Sequence, residues 1–262
     1  MYRVVLLYFL KSCLRLKIVM EIVKVLYPSV LKTLTVLLVV GTGAAALAEP
    51  YVPPAGLGAP GRRESAGTRG CAFGNPANLI ALMPTDNVGL TTAAYPRLYW
   101  YMPTTQASIV RFTLEKMGED TEGKDSAEEF YRTQFAITGE PGIMSLELPD
   151  TVSLPALEAG DRYHWQVAVF CNPVSEEGDL QIEGWVERQV PDEDLLAALE
   201  MASESEKVAL YASNGYWFDV VDQLATLQAE APEDADLQAR WAELLESVDL
   251  EHLANQPFVS VE

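Results

Sequence analysis

The chain has 262 residues, 49% of them hydrophobic, with 38 Asp+Glu against 18 Lys+Arg and a formal net charge of −20. That length supports one or two packed domains. The acidic balance excludes nucleic acid and anionic lipid surfaces as natural partners, because both demand Lys and Arg to neutralise phosphate.

Lys24 and Lys32 precede an apolar run, Leu34 to Val40, that passes into small residues and stops at Ala46-Leu47-Ala48 before Glu49-Pro50. A basic flank, a short apolar core and an A-x-A site are what a signal peptidase reads, so residues 1–48 read as a signal peptide cut after Ala48. The mature chain is then exported to the periplasm, the cell surface or the medium. An uncleaved anchor is the alternative, but Thr33 to Ala48 falls short of the roughly 20 residues that a spanning helix needs, so no stable membrane insertion is expected after cleavage. Met20 is an alternative start, since leaders usually run to about 15–30 residues.

Residues 1–48 hold six of the 18 Lys+Arg and one of the 38 Asp+Glu, which leaves 12 against 37 and a net charge near −25 on 214 residues. Cys13 leaves with the leader. The mature chain keeps Cys71 and Cys171, in a compartment where disulfides persist. Either they form a bridge that closes a loop of about 100 residues, stabilising by about 4–5 kcal/mol in the chain-entropy account, or they are two buried thiols. A metal site is not expected, because neither His164 nor His252 has ligand spacing to a cysteine.

Residues 49–70 are rich in Pro and Gly with little apolar periodicity, which reads as an extended arm. From Cys71 to Val190 short β-branched and aromatic runs alternate with Pro, Gly and acidic turns. They predict strands over Leu79–Met83, Arg97–Met102, Ser108–Glu115, Tyr131–Thr138, Ile143–Leu148, Arg162–Cys171 and Leu180–Arg188. Seven such strands suggest a two-sheet sandwich over 71–190, and the lack of any crossover helix argues against parallel pairing. Leu157 to Tyr163, followed by Trp165, Val167, Val169 and Cys171 at period two, resembles the tyrosine corner of fibronectin type III and immunoglobulin-like domains. It puts those residues in the core and turns His164 and Gln166 outward.

Residues 191–262 read as an acidic helical region, with 17 Asp+Glu after Pro191 against Lys207 and Arg240. Asp192 is an N-cap before Leu195, Leu196 and Leu199. Tyr211, Gly215, Trp217, Val220, Leu224, Leu227 and Pro232 resemble the second half of a tetratricopeptide repeat, whereas Glu204, Lys207 and Val208 depart from the first half. One repeat cannot make a solenoid, so an ordinary helical hairpin stays open beside a peptide-binding groove. Leu237, Trp241, Leu244, Leu245 and Val248 give a last helix over Ala235–Ser247. The fold class is thus mostly β with an α tail: a fibronectin/Ig-like β-sandwich and a small TPR-like helical region.

Several strings together carry a family resemblance: Pro60-Gly61-Arg62-Arg63 through Gly67-Thr68-Arg69-Gly70-Cys71, Leu90-Thr91-Thr92 with Tyr95-Pro96, Trp100-Tyr101-Met102-Pro103, Tyr163-His164-Trp165, Gly184-Trp185-Val186 and Gly215-Tyr216-Trp217-Phe218-Asp219. They are similar to the exported, mainly cyanobacterial family catalogued as domain of unknown function 928. The chain departs from it at Glu64 to Ala66, where a more glycine-rich arm is usual, and at Asn172 and Glu176-Glu177. The resemblance implies no established activity.

The candidate binding residues are Arg62, Arg63 and Arg69, a quarter of the mature basic residues within eight positions. Such a cluster suits a carboxylate, a phosphate or an acidic partner, or it pairs with the chain's own acids. The mature chain has no G-x-S-x-G, no H-E-x-x-H and no P-loop. The favoured expectation is a non-catalytic exported protein-interaction module whose partner is another exported or membrane protein. A small-molecule or glycan binder that stacks ligands on Tyr95, Trp100 and Tyr101 is the second reading, and a hydrolase using paired carboxylates the third. No cofactor or metal is expected.

Overall fold

Alternating apolar residues make strands in this chain wherever a second strand can cover one face. The computed structural model describes residues 50–65, 78–119, 125–171 and 180–259, all within one compact unit, Ala48–Glu262. The strands are β1 (Ile80–Ala81), β2 (Val88–Thr91), β3 (Arg97–Met102), β4 (Ile109–Glu119), β5 (Asp125–Ala136), β6 (Gly142–Glu147), β7 (Arg162–Phe170) and β8 (Leu180–Arg188). They form a three-stranded sheet in the order β1-β3-β6 and a five-stranded sheet in the order β2-β8-β7-β4-β5. The helices are α1 (Glu193–Met201), α2 (Glu204–Ser213), α3 (Trp217–Glu230) and α4 (Ala235–Glu246), followed by a 3-10 turn over Glu251–Leu253.

β7 shows how pattern becomes packing. Tyr163, Trp165, Val167 and Val169 are fully buried, and they interleave with part-exposed His164 and Gln166. The Tyr163 hydroxyl accepts a hydrogen bond from the Glu158 backbone N–H at 2.9 Å and holds the turn that enters the strand. β5 buries little and carries Asp125, Glu128, Glu129 and Arg132 on the open edge of the large sheet, where charge discourages further strand pairing. Pairing with β4 draws it back to Asp125, six residues before the predicted start.

The expectation against parallel pairing is overturned. β2 runs parallel to β8, from Val88 opposite Trp185 to Thr91 opposite Arg188. The crossover between them needs no single helix because β3 to β7 make it. β2 itself escaped the pattern reading because all four of its residues are buried. It is the outer strand of the five-stranded sheet and α3 packs on it, and with both faces covered no polar-apolar alternation marks it. Its Gly89 is required by the α3 contact: a Cβ there would stand 2.6 Å from Phe218 Cε2 and 3.2 Å from Trp217 Cδ1.

Three of the four helices start at a side-chain cap, and α3 follows Tyr216 without one. Asp192 accepts from the Leu195 N–H at 2.8 Å. Ser203 and Glu206 form a reciprocal capping box that starts α2. Asp234 caps α4. Gly215 turns α2 into α3 at φ +77°, a left-handed conformation that costs glycine little. α3 docks on β2 and β3 and carries α2 and α4 with it. The Trp217 indole N–H, fully buried, donates to Leu82 O at 2.8 Å.

Both ends of the described chain finish the small sheet. Glu64 bridges Ile80 beside β1, and Phe258 bridges Ile143 beside β6. The edges of β1 and β6 are therefore each covered by a further segment of this chain. Replacing Gly89 by Ala should push Phe218 off β2 and cost about 1–3 kcal/mol, the usual range for overpacking a tight core. The midpoint of urea unfolding reads it, and an unchanged midpoint would show that the tail does not rest on β2.

Candidate functional site

The Pro/Gly-rich segment proves to be a strap fastened along its length. Tyr51 packs edge-on against Trp217 with ring centroids 4.9 Å apart. Val52 N–H donates to Ala212 O, Ala59 N–H to Asp86 O, and Pro60 O accepts the Trp185 indole N–H. Further on, Arg62 O accepts the Glu183 N–H and Arg63 O the Ala81 N–H. Prolines remove backbone donors, so the strap uses its carbonyls and its remaining N–H groups to lie along strand and helix.

That course separates the two adjacent arginines, since successive residues of an extended chain point to opposite faces. Arg63 turns inward, its side chain 17% exposed. Its guanidinium donates to Val248 O at 2.7 Å and Met83 O at 3.3 Å, tying the strap to the loop after β1 and to the end of α4. Arg62 is exposed, and among the described residues no carboxylate lies within ion-pair distance of it. Arg69 and Cys71 lie outside the described residues, and Cys171 follows β7 half-buried. The structure therefore does not gather Arg62 and Arg63 into one clamp.

On the outer face of the large sheet His164 faces away from the core as expected, yet its side chain is only 17% exposed. Trp185 lies against the imidazole at 4.7 Å between ring centroids. Nε2 is 3.0 Å from Glu183 Oε2, and Nδ1 is 3.6 Å from Glu115 Oε2. The strap fastens over Trp185 and Glu183 and shields this corner. Among the described residues no group of three His, Cys, Asp or Glu is placed to hold a metal ion, and no helix is long and apolar enough to cross a membrane.

The expected stacking surface is not there. Trp100 and Tyr101 are core residues of β3, buried on all sides, because this strand lies between β1 and β6 and under the strap and tail. Tyr95 is half-buried and its hydroxyl donates to Leu154 O at 3.2 Å.

Two of the motifs singled out in the sequence meet where the tail docks. Asp219, in the first turn of α3, accepts the Thr92 N–H at 3.0 Å and the Thr92 hydroxyl. Asp222, one turn on, accepts the Tyr99 hydroxyl at 2.7 Å and pairs with Arg97, which also pairs with Glu147. Burial pushes the Asp219 carboxyl up to about 6, against the lowering effect of its Thr92 and Thr91 hydrogen bonds. The residue keeps a part-exposed surface, but the packing around the carboxylate itself is dense, and desolvation wins. The cleft here is about 60 Å³, too small for a ligand beyond a water or two. These residues join sheet to tail.

Two larger spaces lie in the tail. One of about 240 Å³ sits among α2, α3 and α4 and is closed at one end by Pro50 and Tyr51. Its Arg240 is engaged by Ser205 through Oγ at 2.7 Å and O at 2.9 Å. The other, about 450 Å³, is an open groove between the end of β8, α1 and α2, lined by Arg188, Val190, Leu196, Leu199, Lys207 and Tyr211. Sequence reasoning missed it, although Lys207 stands out as one of two cations among the tail's 17 acids.

The two arginines should behave oppositely on mutation. Arg63→Ala leaves two main-chain carbonyls without their donor and should cost about 1–3 kcal/mol, while Arg62→Ala should change thermal stability by less than about 0.5 kcal/mol. Equal effects in a melting experiment would contradict the inward and outward placement.

Asp219 predicts a pH dependence of definite sign. An unfolded Asp titrates near 3.9 and this one near 6, so the folded state binds the proton more tightly. Its contribution is fully present below about pH 4 and is lost as pH rises through about 6. Asp219→Asn keeps an acceptor for Thr92 and does not titrate. Urea unfolding of both proteins should show the wild type falling behind the variant by the order of 2 kcal/mol between pH 4 and pH 8. A gap that is flat with pH would mean that Asp219 titrates as it does in water.

No curated protein matches the chain. A family model described as Domain of Unknown Function (DUF928) matches residues 64–258, a span from the bridge beside β1 to the one beside β6, with both sheets and all four helices inside it. The chain belongs to the DUF928 family.

Proposed function

We propose that this protein is a non-catalytic interaction module working outside the cytoplasm, with helix α1 as its docking face. The observation that carries this reading is a helix with every local signal for forming and no buried residue. α1 is capped by Asp192 and begins with Glu193 and Asp194, yet none of its nine residues is buried. Isolated helices shorter than about 12–15 residues are marginal in water, so an apolar face on so short a helix normally rests on something. Here Leu196 is 42% exposed, Met201 89% and the preceding Val190 63%.

The inferred partner is an exported or membrane protein that brings an apolar segment with basic flanks. Asp192, Glu193, Asp194 and Glu200 lie beside the exposed apolar residues, and such a field steers cations. Export is supported by the leader pattern that ends at Ala48, and by Cys171, which is disulfide-bonded. We assign Cys71 as its partner, since bridges persist in oxidising compartments. The finer fold reading is an Ig-like sandwich with a TPR-like helical pair, supported by the Tyr163 hydrogen bond to Glu158 and by the Gly215 turn between α2 and α3. A paired-carboxylate hydrolase has less support, because Glu147 and Asp222 flank Arg97, and Glu115 and Glu183 flank His164.

Residues 49–262 should recover the partner from a periplasmic and membrane extract in a salt-sensitive way. Leu196→Asp with Met201→Glu should abolish recovery while melting as the wild type does. Equal recovery by the variant would remove α1 as the docking face. Sedimentation of the purified protein as a dimer that the same variant dissolves would assign the face to a second copy instead.

A further inference from the structure

The groove behind α1 brings together an apolar wall and, in Arg188, an arginine that no carboxylate pairs with among the described residues. The apolar wall consists of Val190, Pro191, Leu196 and Leu199, from the end of β8 and from α1. Arg188 comes from the last residue of β8 and Lys207 from α2.

The Arg188 guanidinium donates to Thr92 O and Leu157 O, two neutral carbonyls. Among the described residues no carboxylate pairs with it. Arg97, Lys116, Arg132 and Arg162, by contrast, all have acidic partners within 4.0 Å. In a chain with about twice as many acids as bases, a half-buried arginine fixed by carbonyls keeps its full charge in the lining of the groove. Lys207 adds a charge that it shares with Glu204 at 2.7 Å. Glu200 also lines the groove, and its like charge opposes a multiply charged ligand. Tyr211 adds a hydroxyl, whereas the Thr92 hydroxyl donates to Asp219.

We infer that this groove binds a monoanionic amphiphile, an acyl carboxylate whose head meets Arg188 and Lys207 and whose chain lies along Val190, Leu196 and Leu199. About 450 Å³ falls within the roughly 300–1,000 Å³ usual for small-molecule sites, and a carboxylate is the anion that a guanidinium matches in plane. The inference goes beyond the docking of a protein on α1 and does not depend on it. It rests on the two cations, and it is read on purified protein without any partner.

The probe is octanoate, titrated calorimetrically below its micellar concentration into residues 49–262, with octanol and octylamine carrying the same chain without the negative charge. Octanoate should bind saturably at one site, and the two controls at least about tenfold more weakly. Lys207→Gln, a change at the protein surface, should weaken octanoate about tenfold while leaving the melting temperature unchanged. Arg188→Gln should abolish binding. If that variant unfolds because Thr92 O and Leu157 O lose their donor, the Lys207 variant and the two controls still decide. Octanol binding as tightly as octanoate would overturn the inference, as would octanoate affinity unmoved by Lys207→Gln. A stoichiometry of many weak sites would show non-specific adsorption and overturn it too.

Discussion

The contact of Trp217 and Phe218 with Gly89 holds the two halves of this molecule together. A buried aromatic side chain contributes about 1.5–3 kcal/mol over an exposed one, and here two adjacent ones settle on a single residue that lacks a side chain. The indole N–H would be costly to bury unsatisfied, and Leu82 O receives it. Thr92 and Asp219 then fix the angle at which α3 leaves the sheet. β2 is an edge strand of the large sheet, and α3 packs against it where an uncovered edge would be the usual site of unwanted pairing. The helical tail thus covers β2 and β3, and the sheets in turn give the tail a floor.

An acidic chain of this kind has few cations, and their placement shows which contacts the fold requires. Arg63 holds carbonyls of the loop after β1 and of the end of α4. Arg97 joins β3 to β6 and α3. Arg162 pairs with Glu187 across β7 and β8, and Lys116 clamps the turn before β7 through Glu158 and Asp161. Each of these links segments distant in sequence. Arg62 and Arg188 differ, because neither meets a carboxylate among the described residues, and so their charge stays available to solvent or ligand.

Much of the fold was legible because its signals are local. β3 and β8 run as predicted, from Arg97 to Met102 and from Leu180 to Arg188, since a short run rich in aromatic and β-branched residues between turn signals needs no distant information; burial alternates along β8 but not along β3. Asp192 as a cap and Leu237, Trp241, Leu244 and Leu245 as a buried stripe are equally local. β2 was hidden because α3 covers its second face and erases the alternation. Arg62 and Arg63 look equivalent in sequence, and only the course of the strap over β1 and β8 decides which turns inward. Trp100 and Tyr101 looked like surface aromatics because composition cannot say whether β3 is central or peripheral. The groove of Arg188 and Lys207 joins residues from a strand and a helix, and no spacing rule connects them. The Ser203 to Glu206 capping box was readable, and it would have divided α1 from α2.

The strap and the C-terminal segment add a constraint on where function can lie. Glu64 closes the β1 edge and Phe258 the β6 edge, so the described ends of the chain serve the small sheet. The outer corner at His164 and Trp185 is shielded by Pro60 and Arg62. α2, α3 and α4 each bury part of their apolar surface. Among the described helices α1 alone has no fully buried residue; Leu195 and Leu199 are half-buried while Leu196 and Met201 stay exposed. Keeping Leu196 and Met201 in water lowers solubility and gives the fold nothing in return. The proposed docking of a partner on α1 accounts for that exposure, since it would take both side chains out of water.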